Sequence, residues 1–349
     1  MATKSNSNLA NAKKAKNDEF YTQLTDIEKE MRFYKPFFKG KVVYCNCDDA
    51  RESNFFKYFS LNFEHLGLKK LISTGYKENG KGVVLIYEGD KNGNRQVDAD
   101  EIQVTELKGN GDFRSEECIE FLKQADVVVT NPPFSLFREY VAQLIEYGKK
   151  FLVLANNNAI TYKEFFPYIK ENKVWLGRTL FTGQMPYFKV PNDYPLTNER
   201  FEKRADGLYK QVNAICWYTN IPNDTNKEIL CAYREYSNEY HIKYDNYDAI
   251  ECGRMSEFPI NYNGVIGIPI TGLKYLWSDG KIHIEINGQD TQFEIVWIAS
   301  GHSKTTMPKE LAETLNADFK MKSKENTGNG YPILDKHQLY HRLLIKRVF

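Results

Sequence analysis

The chain has 349 residues, 42% hydrophobic and 14% aromatic, which supports a large buried core and excludes a disordered or fibrous chain. Lys and Arg number 47 against 46 Asp and Glu, a net charge of +1, so a uniformly basic coat protein and an acidic tail are both excluded. Mean hydropathy is −0.57, no apolar run approaches the roughly 20 residues that span a bilayer, and the opening MATKSNSNLANAKKAKNDEF has no apolar core behind its charges; the expectation is a cytoplasmic protein without membrane span or secretory signal.

Residues 1–17 are small and polar with four lysines and read as a flexible arm, with order beginning near Asp18. Thr25 followed by Glu28 is a capping-box pattern, with Ile27, Met31 and Tyr34 on one helical face until Pro36. KVVYCN is a short strand. SNFFKYFSLNFEHLG places Phe55, Phe59, Phe63 and Leu66 at helical spacing, with Ser53 as N-cap and Gly67 as the stop. The strand KKLIST follows at once, so the unit is βαβ and its strands are parallel. Residues 81–107 break the alternation with two strand-like runs around DKNGNRQVDADE, read as a hairpin insertion. Alternation then resumes with a helix over 115–124, the strand DVVVT, a helix over 135–147 stopped by Gly148, the strand KFLVLAN, a helix through TYKEFFPYIKEN, and the strands VWLG and ICWYTNI. Beyond residue 222 the chain turns rich in Tyr, Asn, Gly and Ile with short strands such as GVIGIPI, KIHIEI and QFEIVWI.

The fold class expected is therefore α/β: a Rossmann-like sheet with helices on both faces over 18–222, plus a mixed, mostly β module over 223–349. In such a sheet ligands bind beyond the carboxyl ends of the strands, so the residues just after KVVYCN, KKLIST, DVVVT and KFLVLAN are where chemistry belongs. The near-zero total charge hides polarity. The last thirty residues carry seven Lys and Arg against two acids, whereas 86–120 carries ten acids against four bases, so the C-terminal end suits a polyanion.

Six cysteines in a chain of this length do not form a disulfide framework. Cys45 and Cys47 lack two further ligands at zinc spacing, and no metal is expected there. Asp90, Asn92, Asn94, Asp98 and Glu101 stand at the spacing of a calcium loop, but Arg95 replaces its turn glycine and the flanks read as strands, which favours a solvated hairpin tip.

The most informative residues are DVVVTNPPF, where an apolar strand ends and Asn131, Pro132, Pro133 and Phe134 follow at its carboxyl edge. An aromatic exocyclic amine is a poor nucleophile because its lone pair is delocalised into the ring. Two acceptors aimed at the amine hydrogens localise that pair. Asn131 offers a side-chain oxygen, and the prolines hold a rigid backbone with few N–H groups to compete. Phe134 supplies a flat face for a planar base, worth about 1–3 kcal/mol for an unstacked nucleotide. The nitrogen becomes acidic only after alkylation, so positioning is the main catalytic effect.

NPPF at this place resembles motif IV of the amino-group methyltransferases. NDEFYTQ, VVYCNCDD followed by SNFFKYF, and GNGDF extend the resemblance to one branch, the EcoRI-type adenine-specific DNA modification methylases. DAIECGRMSEFPINYNGVIGIPIT and HRLLIKR are similar to its C-terminal half, so the resemblance covers nearly the whole chain from Asp18. It implies S-adenosylmethionine as cofactor and N6-adenine methylation of a base flipped out of double-stranded DNA. Residue by residue, it implies that Asn131, Pro132 and Phe134, in the loop with Pro133, grip and stack the adenine. Tyr21 and Thr22 would hold the methionine portion of the cofactor, the 45–49 loop with Cys45, Asn46, Asp48 and Asp49 its floor, and Asp112 and Phe113 would flank its adenine.

Two departures stand out: Gln23 where many relatives have proline, and no glycine in CNCDD, where a glycine-rich turn is usual. For the acid that accepts the ribose hydroxyls, Asp48, Asp49 and Glu78 remain open. The resemblance further implies a monomer, 18–222 as catalytic domain and 223–349 as target-recognition module, and a cognate restriction endonuclease as partner. The alternatives are an amino-group methyltransferase acting on RNA or a protein glutamine, and a DNA-binding protein on an inactive methyltransferase fold.

Overall fold

In the computed structural model the described residues are 22–349 except 48, 78, 181–186, 191–193, 195, 197–199, 213, 225–226, 228 and 325–327. The arm expected over 1–17, Tyr21, Asp48 and Glu78 thus lie outside them. The chain forms two compact units, Met1–Asn156 with Gly177–Ile221, and Asn157–Leu176 with Pro222–Phe349.

The first unit is built on the strands β1 (Val42–Cys45), β2 (Lys70–Gly75), β3 (Val83–Tyr87), β4 (Ile102–Glu106), β5 (Val127–Thr130), β6 (Lys150–Asn156), β7 (Trp175–Leu180), β8 (Tyr187–Val190), β9 (Phe201–Arg204), β10 (Gly207–Gln211) and β11 (Ile215–Thr219). Its helices include α1 (Leu24–Met31), α2 (Asn54–Leu61), α3 (Glu116–Gln124) and α4 (Phe137–Glu146). Eight strands form one sheet in the order β4-β3-β2-β1-β5-β6-β11-β7. β1 pairs in parallel with β2 and β5, and β5 with β6. β1 and β5 are buried at every position, as strands covered on both faces must be. From the β1/β5 boundary the chain moves outward one way through α2 to β2 and the other way through α4 to β6. Right-handed crossovers then put α2 and α4 on opposite faces, which makes the sheet doubly wound and Rossmann-like.

Local chemistry sets the element ends. Ser53 Oγ accepts from Phe55 N at 3.2 Å, and Ser115 Oγ from Cys118 N at 3.3 Å, so both act as N-caps. The run after Ser53 is not one helix: Asn62 leaves helical geometry at φ −104°, ψ 11°, and a separate turn, Phe63–Leu66, ends at Gly67 with φ +63°. The capping box at Thr25 does not form. α1 begins two residues earlier, with Gln23 and not Thr25 as its N-cap, because Asp26 and Ile27 donate to Gln23 O at 3.0 and 3.2 Å. Gln23 has φ −73° and ψ 142°, the conformation that proline adopts, so a non-proline residue fits there without strain.

The hairpin over 81–107 is part of the sheet: β3 pairs antiparallel with β2, and β4 with β3. Asp90 at its tip accepts from Gly93 N at 2.6 Å and Arg95 N at 2.7 Å, and Asp98 Oδ2 from the Asn92 and Asn94 amides at 2.8 and 2.7 Å.

TYKEFFPYIKEN holds only the short helix Phe166–Lys170, with Pro167 in its first turn, where proline starts a helix and cannot continue one. This stretch groups with the second unit. Between β7 and β11 the chain makes a three-stranded antiparallel sheet, β8-β10-β9, that periodicity did not single out. β11 then enters antiparallel to β6, with Ile215 opposite Asn156.

α1 is fixed by one buried carboxylate. Glu30 Oε1 accepts from Tyr34 Oη and Arg178 N, both at 2.8 Å, and Oε2 from Thr179 N at 2.6 Å and its Oγ1 at 2.5 Å. Burial pushes this carboxyl above its ordinary range and the four donors pull it back.

The second unit carries a six-stranded mixed sheet formed by β12 (Leu230–Ala232), β13 (Ile250–Glu251), β14 (Ile266–Pro269), β15 (Lys281–Ile286), β16 (Gln289–Ala299) and the last strand, Arg342–Arg347, with a small ribbon of Ile333–Leu334 and His337–Gln338 beside it. HRLLIKR is thus an interior strand, paired with β16 and β14.

Candidate active site

The switch point of the sheet lies between β1 and β5, where the crossovers diverge, and an open α/β sheet binds its ligand at the carboxyl ends of those strands. Cys45 ends β1 and Thr130 ends β5, so the residues that follow, Asn46 and Asn131, flank this crevice. Asn131 and Pro132 are buried and Pro133 and Phe134 half-buried. Asn131 is only 6% exposed. Pro133, at φ −55° and ψ 124°, leads into a short 3-10 turn, Phe134–Leu136, and then α4.

On the β1 side, Asn46 is held at both its polar oxygens, with a weak further bond to the side-chain oxygen from Cys47 Sγ at 3.5 Å. Its main-chain carbonyl accepts the Thr130 hydroxyl, and its side-chain oxygen accepts the phenol of Tyr140 from α4. Cys47 follows at φ +72°, the left-handed conformation that glycine usually supplies. Within CNCDD, Cys47 thus takes the left-handed backbone that a glycine would ordinarily supply. Asp49 is exposed, and its Oδ1 accepts from Arg51 N at 2.9 Å, closing its own turn. Of the three acids considered for the ribose, Asp49 alone is among the described residues.

GNGDF lies against the end of β2. Gly111, at φ +82°, brings its backbone so close to Gly75 that a Cβ would sit 2.3 Å from the Gly75 carbonyl oxygen. Only glycine fits. Phe113, beyond it, is buried and meets Tyr140 edge-on with ring centroids 5.0 Å apart. Asp112 receives a two-pronged bond from Arg114, Nε to Oδ1 at 2.8 Å and Nη2 to Oδ2 at 2.6 Å. This pair raises the guanidinium pKa, and the Asp112 carboxylate is already shared.

Thr22 is 1% exposed, and Asn54 Nδ2 donates to its carbonyl at 2.8 Å. The Thr22 hydroxyl is buried and finds no hydrogen-bond partner among the described residues. A buried orphan hydroxyl costs about 1–3 kcal/mol, which a polar ligand would recover, so this residue fits a bound carboxylate or amine.

The sequence reading missed Thr130, Tyr140, Tyr44, Thr74 and Asn54. Tyr140 lies on the buried face of α4 with Phe137, Val141 and Leu144 and reads as core. Tyr44 Oη and Thr74 Oγ1 form a 2.7 Å bond between β1 and β2. Burial pushes both tyrosine phenols well above their ordinary pKa, so both stay protonated and neutral. Among the described residues no group of His, Cys, Asp or Glu is arranged to hold a metal, and no helix is long and apolar enough to cross a membrane.

In the second unit, one of the seven C-terminal cations is spent internally: Arg342 donates Nη2 to Glu251 Oε1 at 2.7 Å and Nε to both carboxylate oxygens at 3.0 Å. Lys320, Lys322, Lys324, Lys336 and Lys346 remain exposed, as do Tyr233, Tyr240 and Tyr340.

Comparison with known proteins adds a second line. The family model described as "Adenine-specific methyltransferase EcoRI" matches residues 8–348. The chain is 49% identical over 311 residues to the Type II methyltransferase M.EcoRI of Escherichia coli, covering 82% of this chain and 95% of that protein. It is 40% identical over 267 residues to the Type II methyltransferase M.MpnI of Mycoplasma pneumoniae, covering 75% and 80%, and 40% identical over 268 residues to M.MgeORF184P of Mycoplasma genitalium, again covering 75% and 80%.

Proposed function

The chain belongs to the adenine-specific methyltransferase EcoRI family, and from that membership we propose that it transfers a methyl group from S-adenosylmethionine to the N6 amine of an adenine flipped out of double-stranded DNA. That it is an adenine-specific DNA methyltransferase with a Rossmann-like methyltransferase fold follows from the family itself. The donor, the flipping and the residue roles are the proposal. The observation that carries it is the bond from Thr130 to Asn46, which joins the roots of the NPPF loop and the 45–49 loop across the switch point.

S-adenosylmethionine, when bound, supplies an electrophilic methyl group on a sulfonium. Thr22 with its orphan hydroxyl, the Cys45–Asn46–Cys47 turn and Phe113 are the described residues that fit it, with Tyr21 and Asp48 assigned to it from the motif alone. Asp112 contributes by holding Arg114 over the Phe113 ring, 5.3 Å from its centroid.

The side-chain oxygen of Asn131 and the Pro132 carbonyl accept the two amine hydrogens of the target adenine, localising the nitrogen lone pair toward the methyl group. Pro133 fixes the loop, and Phe134 stacks on the base. Because Asn131 is buried, its acceptor works in a low dielectric, where a hydrogen bond polarises its partner more strongly than in water. Asn131 takes no proton; the alkylated nitrogen releases one to solvent. Unstacking the adenine costs a few kcal/mol, which contacts of the protein with phosphates and base edges offset. The exposed lysines and tyrosines of 223–349 suit that role, so DNA affinity falls steeply with salt.

We assign the protein to a restriction-modification setting, with a cognate endonuclease, and expect it to act as a cytoplasmic monomer. No observation favours RNA or a protein glutamine as acceptor. The test is nucleoside mass spectrometry on plasmid DNA from a host lacking adenine methylases, expressing this chain or Asn131→Ala. N6-methyladenine with the first and none with the second is expected. Equal amounts from both would sink the catalytic assignment, and none from either would sink the reaction.

A further inference from the structure

Asn46 is gripped from two sides by buried groups that belong to different parts of the sheet. Its carbonyl takes the hydroxyl of Thr130, and its side-chain oxygen takes the phenol of Tyr140. Thr130 and Tyr140 are both 0% exposed, so water cannot stand in for either donor. Thr130 immediately precedes Asn131, Asn46 immediately follows β1, and the Tyr140 ring bears edge-on upon Phe113 at 5.0 Å. One bonded cluster therefore touches the root of the NPPF loop, the turn after β1 and the buried aromatic of GNGDF.

We propose that this cluster couples the two binding sites: Thr130 and Tyr140 are positioning residues that act through Asn46, so that filling the methyl-donor site sets the NPPF loop for its target base. The inference rests on the S-adenosylmethionine reading above. A shift of the 45–49 turn without the NPPF loop would strip the Asn46 carbonyl of a buried donor, at a cost of about 1–3 kcal/mol, so the two loops move together. Coupling of this kind is reciprocal: whatever factor the donor adds to DNA affinity, DNA adds to donor affinity.

The test uses the full chain, its Thr130→Val, Thr130→Ser and Tyr140→Phe variants, the non-reactive donor analogue sinefungin, and a duplex carrying the sequence that the wild type methylates. Thr130→Val keeps the shape and removes the hydroxyl; Tyr140→Phe keeps the contact with Phe113 and removes the phenol. In the wild type the analogue tightens DNA binding by about fivefold or more. In Thr130→Val and Tyr140→Phe that factor falls toward one and kcat falls about 10- to 100-fold, while the fold is kept with a melting temperature lowered by several degrees, as the loss of one buried donor requires, and affinity for the analogue alone stays within about twofold of wild type. Thr130→Ser restores both. Unchanged kcat and coupling in the two variants would overturn the inference, as would weakened analogue binding with kcat intact, which would make the cluster a mere wall of the donor pocket. A wild type that binds no analogue overturns the cofactor reading itself, a result distinct from a wild type that binds it and shows no coupling.

Discussion

Asn54, at the start of α2, donates its side-chain amide to the carbonyl of Thr22 at 2.8 Å, and so ties the leading motif to the first helix after β1. The tie holds the Thr22 hydroxyl in a buried position where no described residue bonds it. Thr22→Val removes that orphan group. The variant is expected to melt at or above the wild-type temperature without ligand, because an unsatisfied hydroxyl is lost. It should also lose most of the rise in melting temperature that S-adenosylmethionine gives the wild type. Thermal denaturation with and without the donor checks both; a full ligand-induced shift in the variant would remove Thr22 from the donor site.

Phe134→Ala tests the stacking role. The ring is half-buried beside the NPPF backbone, and a stacked base loses about 1–3 kcal/mol with its aromatic partner. A fall of about 10- to 100-fold in kcat/KM for DNA is expected, with donor affinity measured by calorimetry nearly unchanged. Loss of donor affinity alone would move Phe134 to the other ligand.

Glu30 tests the anchor of α1. Each carboxylate oxygen accepts one backbone N–H that cannot turn away, Arg178 N on one and Thr179 N on the other. Glu30→Gln points an amide NH2 at one of them and is expected to cost about 2–3 kcal/mol of stability by chemical denaturation. Gly177→Ala should destabilise by the same route, since its Cβ would lie 2.4 Å from Glu30 Oε1 and 2.6 Å from Trp217 Cβ. A Glu30→Gln protein as stable as wild type would show that the carboxylate is not the anchor.

His341 gives the second unit a pH dependence. Burial, with the nearby His302 and Arg342, pushes its imidazole pKa down to about 4 from an ordinary 6.5. Between those values the unfolded chain binds the proton and the folded chain does not. Stability is therefore fully present above pH 6.5 and is lost as pH falls toward 4. The imidazole is partly solvated, so the loss is on the order of 1–2 kcal/mol. His341→Phe, which keeps the ring beside Tyr331 and Tyr340, is expected to flatten the stability profile in that window. Parallel profiles for the two proteins would contradict the assignment.

Periodicity and turn chemistry alone determined the strands of the parallel core, the cap at Ser53, the stop at Gly67 and the placement of NPPF at a strand's carboxyl edge. These are local matters: alternation, capping and a positive φ are decided within a few residues. Long-range packing decided the rest. Whether Thr25 or Gln23 opens α1 depends on how the helix sits against the sheet, and whether Cys47 can replace a turn glycine depends on what holds Asn46. Tyr140 read as one more core aromatic, and Arg342 as one more surface cation. Each became specific only when Asn46 and Glu251, 94 and 91 residues away along the chain, were brought to their polar ends. A buried polar group must find a partner, and which one it finds is fixed by the tertiary fold, not by its neighbours in sequence.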